Sequence, residues 1–422
     1  MTNNVLKPAN ILLPKTNCMT AWSVVACDQY TSEPAYWNEV KKEIGDAPST
    51  FHMVFPEIYL KTADFKETIQ NINATMNDYL NQDLFTEHKN TYIYLERTLK
   101  NGSVRKGIMG MVDLEHYNYE KGSQSAIRAT EGTVLERIPP RVSIREDAPL
   151  ELPHVMLLID DEKKEIIESL ANQKDTYIPV YDFKMMLDSG SIKGYVLPNE
   201  IIQKVNEEIS ELGKQENFNT RYDVNDKEVL LFAVGDGNHS LATAKKCYMN
   251  LKEKIGDNAL THPARYALVE IVNLHDDSLE FEAIHRVVFD VNPQDMMDAL
   301  TKKYTLSDTA SANAQRIDVV MGDSVKAVYI TNPTLNLAVG SLQEFIDEYL
   351  SNHSGEVDYI HGDDVVRSLC KESNSIGFIL PSMDKNDLFK TVILDGALPR
   401  KTFSMGEACD KRFYLEARKI IE

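Results

Sequence analysis

The segment VLLFAVGDGNHSLATAKKCYMNL, residues 229–251, most constrains the fold because its pattern changes from strand to helix within a few residues. Residues 229–234 form an unbroken apolar run of the length typical of an interior strand in a parallel or mixed sheet. Gly235 and Gly237 permit a sharp turn, and Ser240 is a favourable N-cap for an amphipathic helix. The sequence therefore predicts a buried strand, a tight loop and a helix that begins at or near Ser240.

The predicted loop has the features of an anion site. The first backbone N–H groups of a helix and the positive end of its dipole favour a phosphate group. Asp236, Asn238 and His239 lie in this loop. The acid would repel a bare phosphate, but it would accept a metal ion that carries one, or a proton from an attacking hydroxyl. Asp-Gly-Asn is also an ordinary turn sequence, and the histidine after it can serve packing alone, so both interpretations stay open.

The GDGNHS loop resembles the Asp-Gly-His-His-Arg loop of a bacterial family catalogued as a domain of unknown function. That loop is similar in turn to the signature of ParB and sulfiredoxin-like proteins, which include nucleotide-using partitioning proteins and free-serine kinases. Ser240 stands where the family loop has arginine. If that arginine binds phosphate in the family, another cation must do so in this chain, or the substrate differs.

Further segments resemble the same family along nearly the whole chain. They are VVACDQYTSEPAYW at 24–37, IRATEGTVLERIPPR at 127–141, IHRVV at 284–288 and LPRKTFSMG at 398–406. The resemblance makes Asp28 the acid of the first segment. In the second segment it carries over Arg128, Glu131 and Thr133.

Arg286 and Lys401 extend the predicted phosphate-binding set. Arg286 follows His285 in an alternating strand, so only one of the two side chains can face a site. The planar, permanently charged guanidinium makes Arg286 the better phosphate ligand. Lys401 belongs to the 398–406 segment, whose cations could compensate for the missing loop arginine. Pairing with nearby carboxylates is the structural alternative for Arg286 and for the arginines that follow Arg128.

The resemblance implies a cytosolic phosphotransferase that moves a phosphoryl group from pyrophosphate or a nucleotide to a small hydroxyl compound, with free L-serine the best guess. In this hypothesis Asp236, through Mg²⁺, and the helix N-terminus hold the donor phosphates. His239 and Arg286 stabilise the charge on the transferred group. Glu131 takes the proton of the acceptor, so that catalysis consists mostly of alignment and electrostatics.

The catalytic residues of this hypothesis are Glu131, Asp236 and His239. Asp236 is also its metal ligand. The residues expected to bind phosphate or substrate are Gly235, Gly237, Asn238, Ser240, Arg128, Thr133, Arg286, Lys401 and Asp28. The alternative is a sensor with a ParB-like fold that binds nucleotide or phosphate without turnover, as the serine in place of arginine would suggest.

Composition limits the partners. A chain of 422 residues, 43% of them hydrophobic, can bury a large core. The formal net charge of -20 disfavours sequence-independent binding to DNA or to anionic membranes, so a DNA-associated protein is the weakest hypothesis. No apolar run approaches the roughly 20 residues of a membrane span, and no signal peptide is recognisable, which predicts a cytoplasmic location. The expected partners are a small substrate and a phosphate donor, with homo-oligomerisation left open.

The predicted fold class is α/β or mixed α+β, a mixed sheet with flanking helices, and the resemblance implies a ParB/sulfiredoxin-like core. We expect a region over 1–300 that carries the phosphate loop, and a smaller α+β region over 301–422 that folds back on the site. The small polar residues of 307–316 are typical of a linker. Residues 264–275 and 279–291 resemble two strands, which would pair as a hairpin.

Overall fold

The computed structural model describes residues 5–60, 64–371 and 374–421. The chain divides into two compact units, Met1–Leu279 with Glu407–Glu422, and Glu280–Gly406. The predicted class is confirmed, because a large mixed sheet is flanked by helices. Within the described stretches, no helix combines the length and the apolar character needed to cross a membrane.

The secondary structure alternates between strands and helices along the whole chain. The strands are β1 (Leu6–Lys7), β2 (Ala9–Pro14), β3 (Val24–Val25), β4 (Phe85–Thr91), β5 (Ile93–Thr98), β6 (Val104–Asp113), β7 (Tyr117–Asn118), β8 (Ile127–Ala129), β9 (Leu150–Glu151), β10 (Met156–Ile159), β11 (Ile178–Lys184), β12 (Ser191–Val196), β13 (Phe232–Asp236), β14 (Tyr266–Asn273), β15 (Phe281–Ala283), β16 (His285–Phe289), β17 (Leu306–Ser307), β18 (Gln315–Met321), β19 (Ser324–Ile330), β20 (Glu356–Ile360), β21 (Ser375–Ile379), β22 (Phe403–Met405), β23 (Phe413–Tyr414) and β24 (Arg418–Lys419). The α-helices are α1 (Met19–Trp22), α2 (Pro34–Ile44), α3 (Phe65–Asn81), α4 (Ile138–Arg145), α5 (Asn199–Leu212), α6 (Gln215–Tyr222), α7 (Asn238–Ile255), α8 (Pro293–Lys303), α9 (Ala338–Asn352), α10 (Asp363–Leu369) and α11 (Lys385–Leu394). Short 3-10 helices cover Thr50–Met53, Glu57–Tyr59, Leu114–His116, Leu135–Arg137, Glu168–Thr176, Gly256–Leu260, Pro263–Arg265 and Ala408–Asp410.

The main sheet of the first unit has the strand order β11-β12-β5-β6-β14-β10-β13-β8-β7, and β1 also pairs with β6. Strand β13 runs antiparallel to β10 and parallel to β8. This confirms the predicted interior strand, although the observed strand is shifted toward the loop and ends at Asp236. Its apolar residues Phe232, Ala233 and Val234 are completely buried, as both faces of the sheet are covered.

Helix α7 follows β13 after a single residue, Gly237, which has a φ of 83°. Glycine adopts this left-handed conformation without the steric penalty that a Cβ imposes. The turn therefore needs no side-chain cap, and the helix begins at Asn238, two residues before the predicted Ser240. The N-terminus of this 18-residue helix consequently lies directly beside the last residue of the strand.

The predicted hairpin between 264–275 and 279–291 is wrong. Strand β14 pairs with β6 and β10 in the first unit, whereas β16 pairs with β20 and β21 in the second. The two strands separate because each completes a different sheet. For the same reason the units divide at Leu279, and the expected boundary between 300 and 301 falls inside α8.

The second unit contains a six-stranded sheet in the order β17-β19-β18-β21-β16-β20, with every neighbouring pair antiparallel. A separate two-stranded sheet joins β15 and β22. Helices α8 and α9 pack together, and their buried faces contribute Leu300, Leu342 and Ile346 to the core of this unit.

Residues 407–421, which we call the C-terminal strap, belong to the first unit. Strand β23 pairs with β3, and β24 pairs with β9. The indole N–H of Trp22 donates a hydrogen bond to the Leu415 carbonyl at 2.9 Å, and Phe413 and Leu415 join the core of the first unit. The last segment of the chain is therefore built into the interior of its first unit.

Candidate functional site

The junction of β13 and α7 holds a partly buried ion pair. Asp236 Oδ1 accepts a hydrogen bond from the Gly237 N–H at 3.0 Å, and Asp236 Oδ2 lies 3.5 Å from Nζ of Lys411 on the strap. The two side chains are 22% and 17% exposed, so both remain accessible to a ligand. The strap thus brings a cation to the point where the helix N-terminus and the acid meet.

The turn at Gly237 leaves no space for a side chain, since a Cβ built there would lie 2.9 Å from Val155 Cα. We predict that Gly237→Ala destabilises the protein by about 1–3 kcal/mol more than Gly102→Ala, because overpacking adds to the backbone penalty that both share. Gly102 is a matched control: its φ is 87°, and a Cβ placed there would meet nothing within 4 Å. Urea unfolding measures both variants, and equal losses would contradict the proposed steric cause.

A second carboxylate, Asp28, belongs to the same cluster. Its Oδ2 lies 3.8 Å from His154 Nε2, and its Oδ1 accepts a hydrogen bond from the Gln29 amide at 3.0 Å. Burial alone would raise the pKa of Asp28, but His154, Gln29 and Lys411 favour the charged form and lower it overall. Asp28 is therefore an anion at neutral pH, and Lys411 lies within electrostatic range of both acids.

The hydroxyl of Tyr414, also on the strap, connects His154 with Cys27. It lies 3.0 Å from His154 Nδ1 and 3.0 Å from Cys27 Sγ, and it accepts a hydrogen bond from the Cys27 N–H at 3.2 Å. Burial, reinforced by the charge of Asp28, raises the pKa of the Cys27 thiol to about 12. Because only a thiolate is a strong nucleophile, Cys27 is a structural neighbour of the site and not a nucleophile at neutral pH.

His239 lies in the first turn of α7 and is a neutral imidazole. Its Nε2 accepts a hydrogen bond from the Val134 N–H at 3.2 Å, which leaves the ring proton on Nδ1. Burial lowers the pKa of His239, and the positive charges of Arg141 and Arg137 lower it further. At neutral pH the ring can therefore donate a hydrogen bond from Nδ1 but adds no charge.

The segment after β8 crosses the same junction. The Thr130 hydroxyl donates to the Val234 carbonyl at 2.6 Å, and three residues beyond Glu131 the Val134 N–H reaches His239. Glu131 and Thr133 in this segment are half-buried. The structure therefore places Glu131 in the chain between two contacts to the β13–α7 junction.

Arg128 lies near the beginning of β13, whereas Asp236 ends that strand. Its side chain is buried and donates to the carbonyls of Ser125 at 2.8 Å and Glu228 at 2.6 Å. Burial lowers the pKa of Arg128 to about 10, so the guanidinium stays charged at neutral pH. Through these hydrogen bonds Arg128 stabilises the chain segment that leads into β13.

Asn238, the first residue of α7, is 8% exposed. Within the part of the chain that the structure describes, its Oδ1 has no hydrogen-bond partner. An unsatisfied buried acceptor costs free energy, which a ligand that donates an N–H or O–H would recover. Gly235 lies within β13 beside this turn, and Ser240 is half-buried in the first turn of the helix.

The remaining predicted ligands, Arg286 and Lys401, belong to the second unit. Arg286 is completely buried, and its three side-chain nitrogens donate to Gln343 Oε1 and to the carbonyls of Ile284 and Arg400. Lys401 is exposed. The structure therefore joins Asp28, Asp236 and His239 in the first unit and gives each side-chain nitrogen of Arg286 a protein acceptor in the second.

His154, Lys411 and Tyr414 are members of the cluster that no motif predicted. His154 directly precedes the apolar run 155–159, and a polar residue at the end of a central strand is the one signal that could have singled it out. A compensating cation was expected from the C-terminal part of the chain, but from the segment 398–406, which ends before Lys411. Only the path of the strap places Lys411 beside Asp236.

Across residues 5–60, 64–371 and 374–421, no group of three His, Cys, Asp or Glu side chains could hold a metal ion. Mg²⁺ does not need three protein ligands, because it commonly binds through one or two carboxylates together with water and substrate phosphates. The accessible Asp236 carboxylate fits such a role, but it does not form a complete site by itself.

The fold and this cluster define an α+β protein with a strand, glycine turn and helix that gather two carboxylates, two imidazoles and a lysine. A family model described as "Protein of unknown function (DUF1015)" matches residues 6–349. Because the match covers most of the chain, this protein belongs to that family. This confirms the family inferred from the GDGNHS loop and from the segments at 24–37, 127–141 and 284–288, while the segment at 398–406 lies outside the matched residues.

No curated protein matches the chain in sequence. Among solved structures, it is similar to a free serine kinase mutant in complex with AMP, with 10% identity, a TM-score of 0.39, and coverage of 74% of this chain and 91% of that one. It is also similar to C-terminally truncated SbnI from Staphylococcus aureus, with 10% identity, a TM-score of 0.35, and coverage of 74% and 83%. A conserved hypothetical protein from Pyrococcus furiosus has the same identity and TM-score, with coverage of 74% and 94%.

Proposed function

We propose that this protein is a phosphotransferase that moves a phosphoryl group from pyrophosphate or a nucleotide to a small hydroxyl compound, with free L-serine as the acceptor. The observation that carries the proposal is the Asp236–Lys411 ion pair at the N-terminus of α7, with the anionic Asp28 in range of the same lysine. The choice of serine follows from the resemblance of the GDGNHS loop to the signature shared with free-serine kinases.

The donor phosphates would bind where α7 begins. Backbone N–H groups of the first turn have no partner within the helix and favour an anion, and Lys411 adds a full positive charge. Asp236 would provide a carboxylate oxygen to Mg²⁺, which would neutralise charge on the donor phosphates when bound. We assign to Lys411 the phosphate contact first expected of Arg286 or Lys401, because Lys411 already contacts Asp236.

The acceptor would bind to the oxygen atoms of Asn238 and Asp28, which an anionic phosphate cannot supply with a hydrogen-bond donor. Within the described residues the Asn238 Oδ1 has no hydrogen-bond donor, and the anionic Asp28 favours a further cation beside the groups that it already contacts. A free amino acid with a side-chain hydroxyl offers a positive charge and several N–H donors in its ammonium group, which leaves the O–H group to face Glu131. This complementarity supports a zwitterionic hydroxyl compound over a simple alcohol.

In the proposed reaction the acceptor oxygen forms a bond to the terminal phosphorus as the bond from that phosphorus to the bridging oxygen of the donor breaks. The hydroxyl proton passes to Glu131, and the shortened phosphate leaves with the electron pair of the broken bond. His239 would donate a hydrogen bond from Nδ1 to an oxygen of the transferred group. Thr133, beside Glu131 in the same segment, would help to orient the acceptor.

The test mixes purified full-length protein with Mg²⁺, L-serine and either pyrophosphate or ATP, and follows the products by phosphorus NMR. We expect a phosphoserine resonance that is absent when L-alanine, which lacks the hydroxyl, replaces serine. The absence of phosphoserine with every donor would reject the serine-kinase proposal. Tight calorimetric binding of one donor without acceptor-dependent consumption would instead favour the sensor, for which Ser240 in place of arginine is the supporting residue.

A further inference from the structure

The second unit has a cleft of about 560 Å³ on one face of its six-stranded sheet. Strands β16, β18 and β21 are neighbours in that sheet, and Asp318 on β18 is the direct partner of Ile379 on β21. Beyond the cleft, Val366 of α10 and Cys370, which directly follows that helix, pack in one apolar cluster with Ile379. The cleft therefore lies where the apolar cover ends and polar side chains begin.

His285 fixes the position of an acid at this cleft. It is 5% exposed, its Nδ1 accepts a hydrogen bond from the Leu380 N–H at 3.2 Å, and its Nε2 lies 2.9 Å from Asp363 Oδ1. Because Nδ1 already accepts, the neutral ring carries its proton on Nε2, and this N–H donates a hydrogen bond to Asp363. Burial lowers the pKa of His285, consistent with a neutral ring. The contact with His285 thus holds the Asp363 carboxylate in a fixed orientation.

The other charges at the cleft leave it net negative. Arg316 binds Asp318 through two hydrogen bonds, at 2.8 and 2.9 Å, and neutralises that acid. Asp363 and Glu282 also line the cleft. Since Arg316 is paired with Asp318, it does not balance the charges of these two carboxylates. Ile379, Leu380 and Pro381 provide an apolar surface beside them.

We propose that this cleft binds a small organic cation with a primary ammonium group, held by Asp363 and Glu282 with its carbon chain on the apolar surface. A bare metal ion fits less well, because the described residues include no group of three side chains able to hold one. An organic cation satisfies the excess negative charge and uses the apolar lining as well. This binding site lies in the second unit and is independent of the proposed phosphotransferase function.

The experiment titrates the full-length protein with putrescine by calorimetry and compares it with butanediol, which has the same carbon chain without charge. Putrescine should bind, butanediol should not, and added salt should weaken the binding of putrescine. We expect Asp363→Asn to weaken binding by about tenfold or more, because a hydrogen bond to a charged group is lost. The matched control is Asp308→Asn, which removes an exposed acid paired with Lys326. This variant should bind putrescine as tightly as the unmodified protein does.

Thermal unfolding of each variant first establishes that the second unit remains folded. Should Asp363→Asn fail this check, Glu282→Gln replaces it, since Glu282 is exposed and its loss should also weaken binding severalfold. Equal binding of putrescine and butanediol, or binding unchanged in the folded acid variants, would overturn the proposal. Complete displacement of putrescine by an equal concentration of Mg²⁺ would likewise overturn it, in favour of a metal site.

Discussion

Asp236→Asn should reduce phosphoryl transfer by about 100-fold or more, the usual effect of removing one preorganised electrostatic group from an active site. The substitution keeps the size of the side chain and its bond with the Gly237 N–H, but it removes the charge that faces Lys411. The loss should appear mainly in kcat, because the Mg²⁺ that Asp236 would hold is needed most when negative charge spreads over the transferred group. Steady-state kinetics in the phosphoserine assay measures the effect.

Two further variants separate a role in chemistry from a role in the ion pair. Asp226→Asn removes an exposed acid shortly before β13 and should leave kcat unchanged. Lys411→Met removes the partner of Asp236 and should mainly raise KM for the donor. If Asp236→Asn and Lys411→Met have equal effects and the double variant adds nothing, the carboxylate serves only to hold the strap, and its proposed contact with the donor is wrong.

Arg412→Met should lower the free energy of unfolding by about 3–5 kcal/mol, because it removes the cation paired with the buried Glu416 and leaves Glu270 with Arg105 alone. Arg412 is 3% exposed and forms ion pairs with Glu270, at 3.3 Å, and with Glu416. Burial would lower the pKa of Arg412, but the two carboxylates outweigh it and raise the pKa. Arg105 also lies 3.6 Å from Glu270, so the strap is tied to the main sheet by a network of buried charges.

Urea unfolding followed by tryptophan fluorescence suits this prediction, because Trp22 and Trp37 are both buried in the first unit. Lys15→Met is the control: its ion pair with Asp83 is exposed, and its loss should cost no more than about 1 kcal/mol. A loss of that small size for Arg412→Met would show that the buried network does not hold the strap. The two predictions are linked, because Lys411 directly precedes Arg412.

Local patterns were sufficient to predict the elements that depend on neighbouring residues. The apolar run 229–234 and the glycines on either side of Asp236 predicted the β13–α7 junction, because strand burial and turn conformation depend on residues close in sequence. The start of α7 was misplaced because Ser240 is a good cap by composition, whereas the left-handed Gly237 turn begins the helix two residues earlier. The false hairpin arose from the same preference for sequence neighbours, since β14 and β16 are close in sequence but lie in different sheets.

By itself, the sequence determined that this is a mixed α/β protein of the family it resembles, with Asp236, Asn238 and His239 at the junction of a buried strand and an amphipathic helix. The class and the junction follow from hydrophobic periodicity and glycine spacing, which act over a few residues, whereas the family was inferred from the resemblance of short motifs. Only the tertiary structure decided that Lys411 and Tyr414 approach Asp236 and His154, and that Arg286 is already bonded to protein acceptors. Contacts between residues this far apart depend on how buried charges and strand partners are satisfied across the whole unit, and no local pattern contains that information.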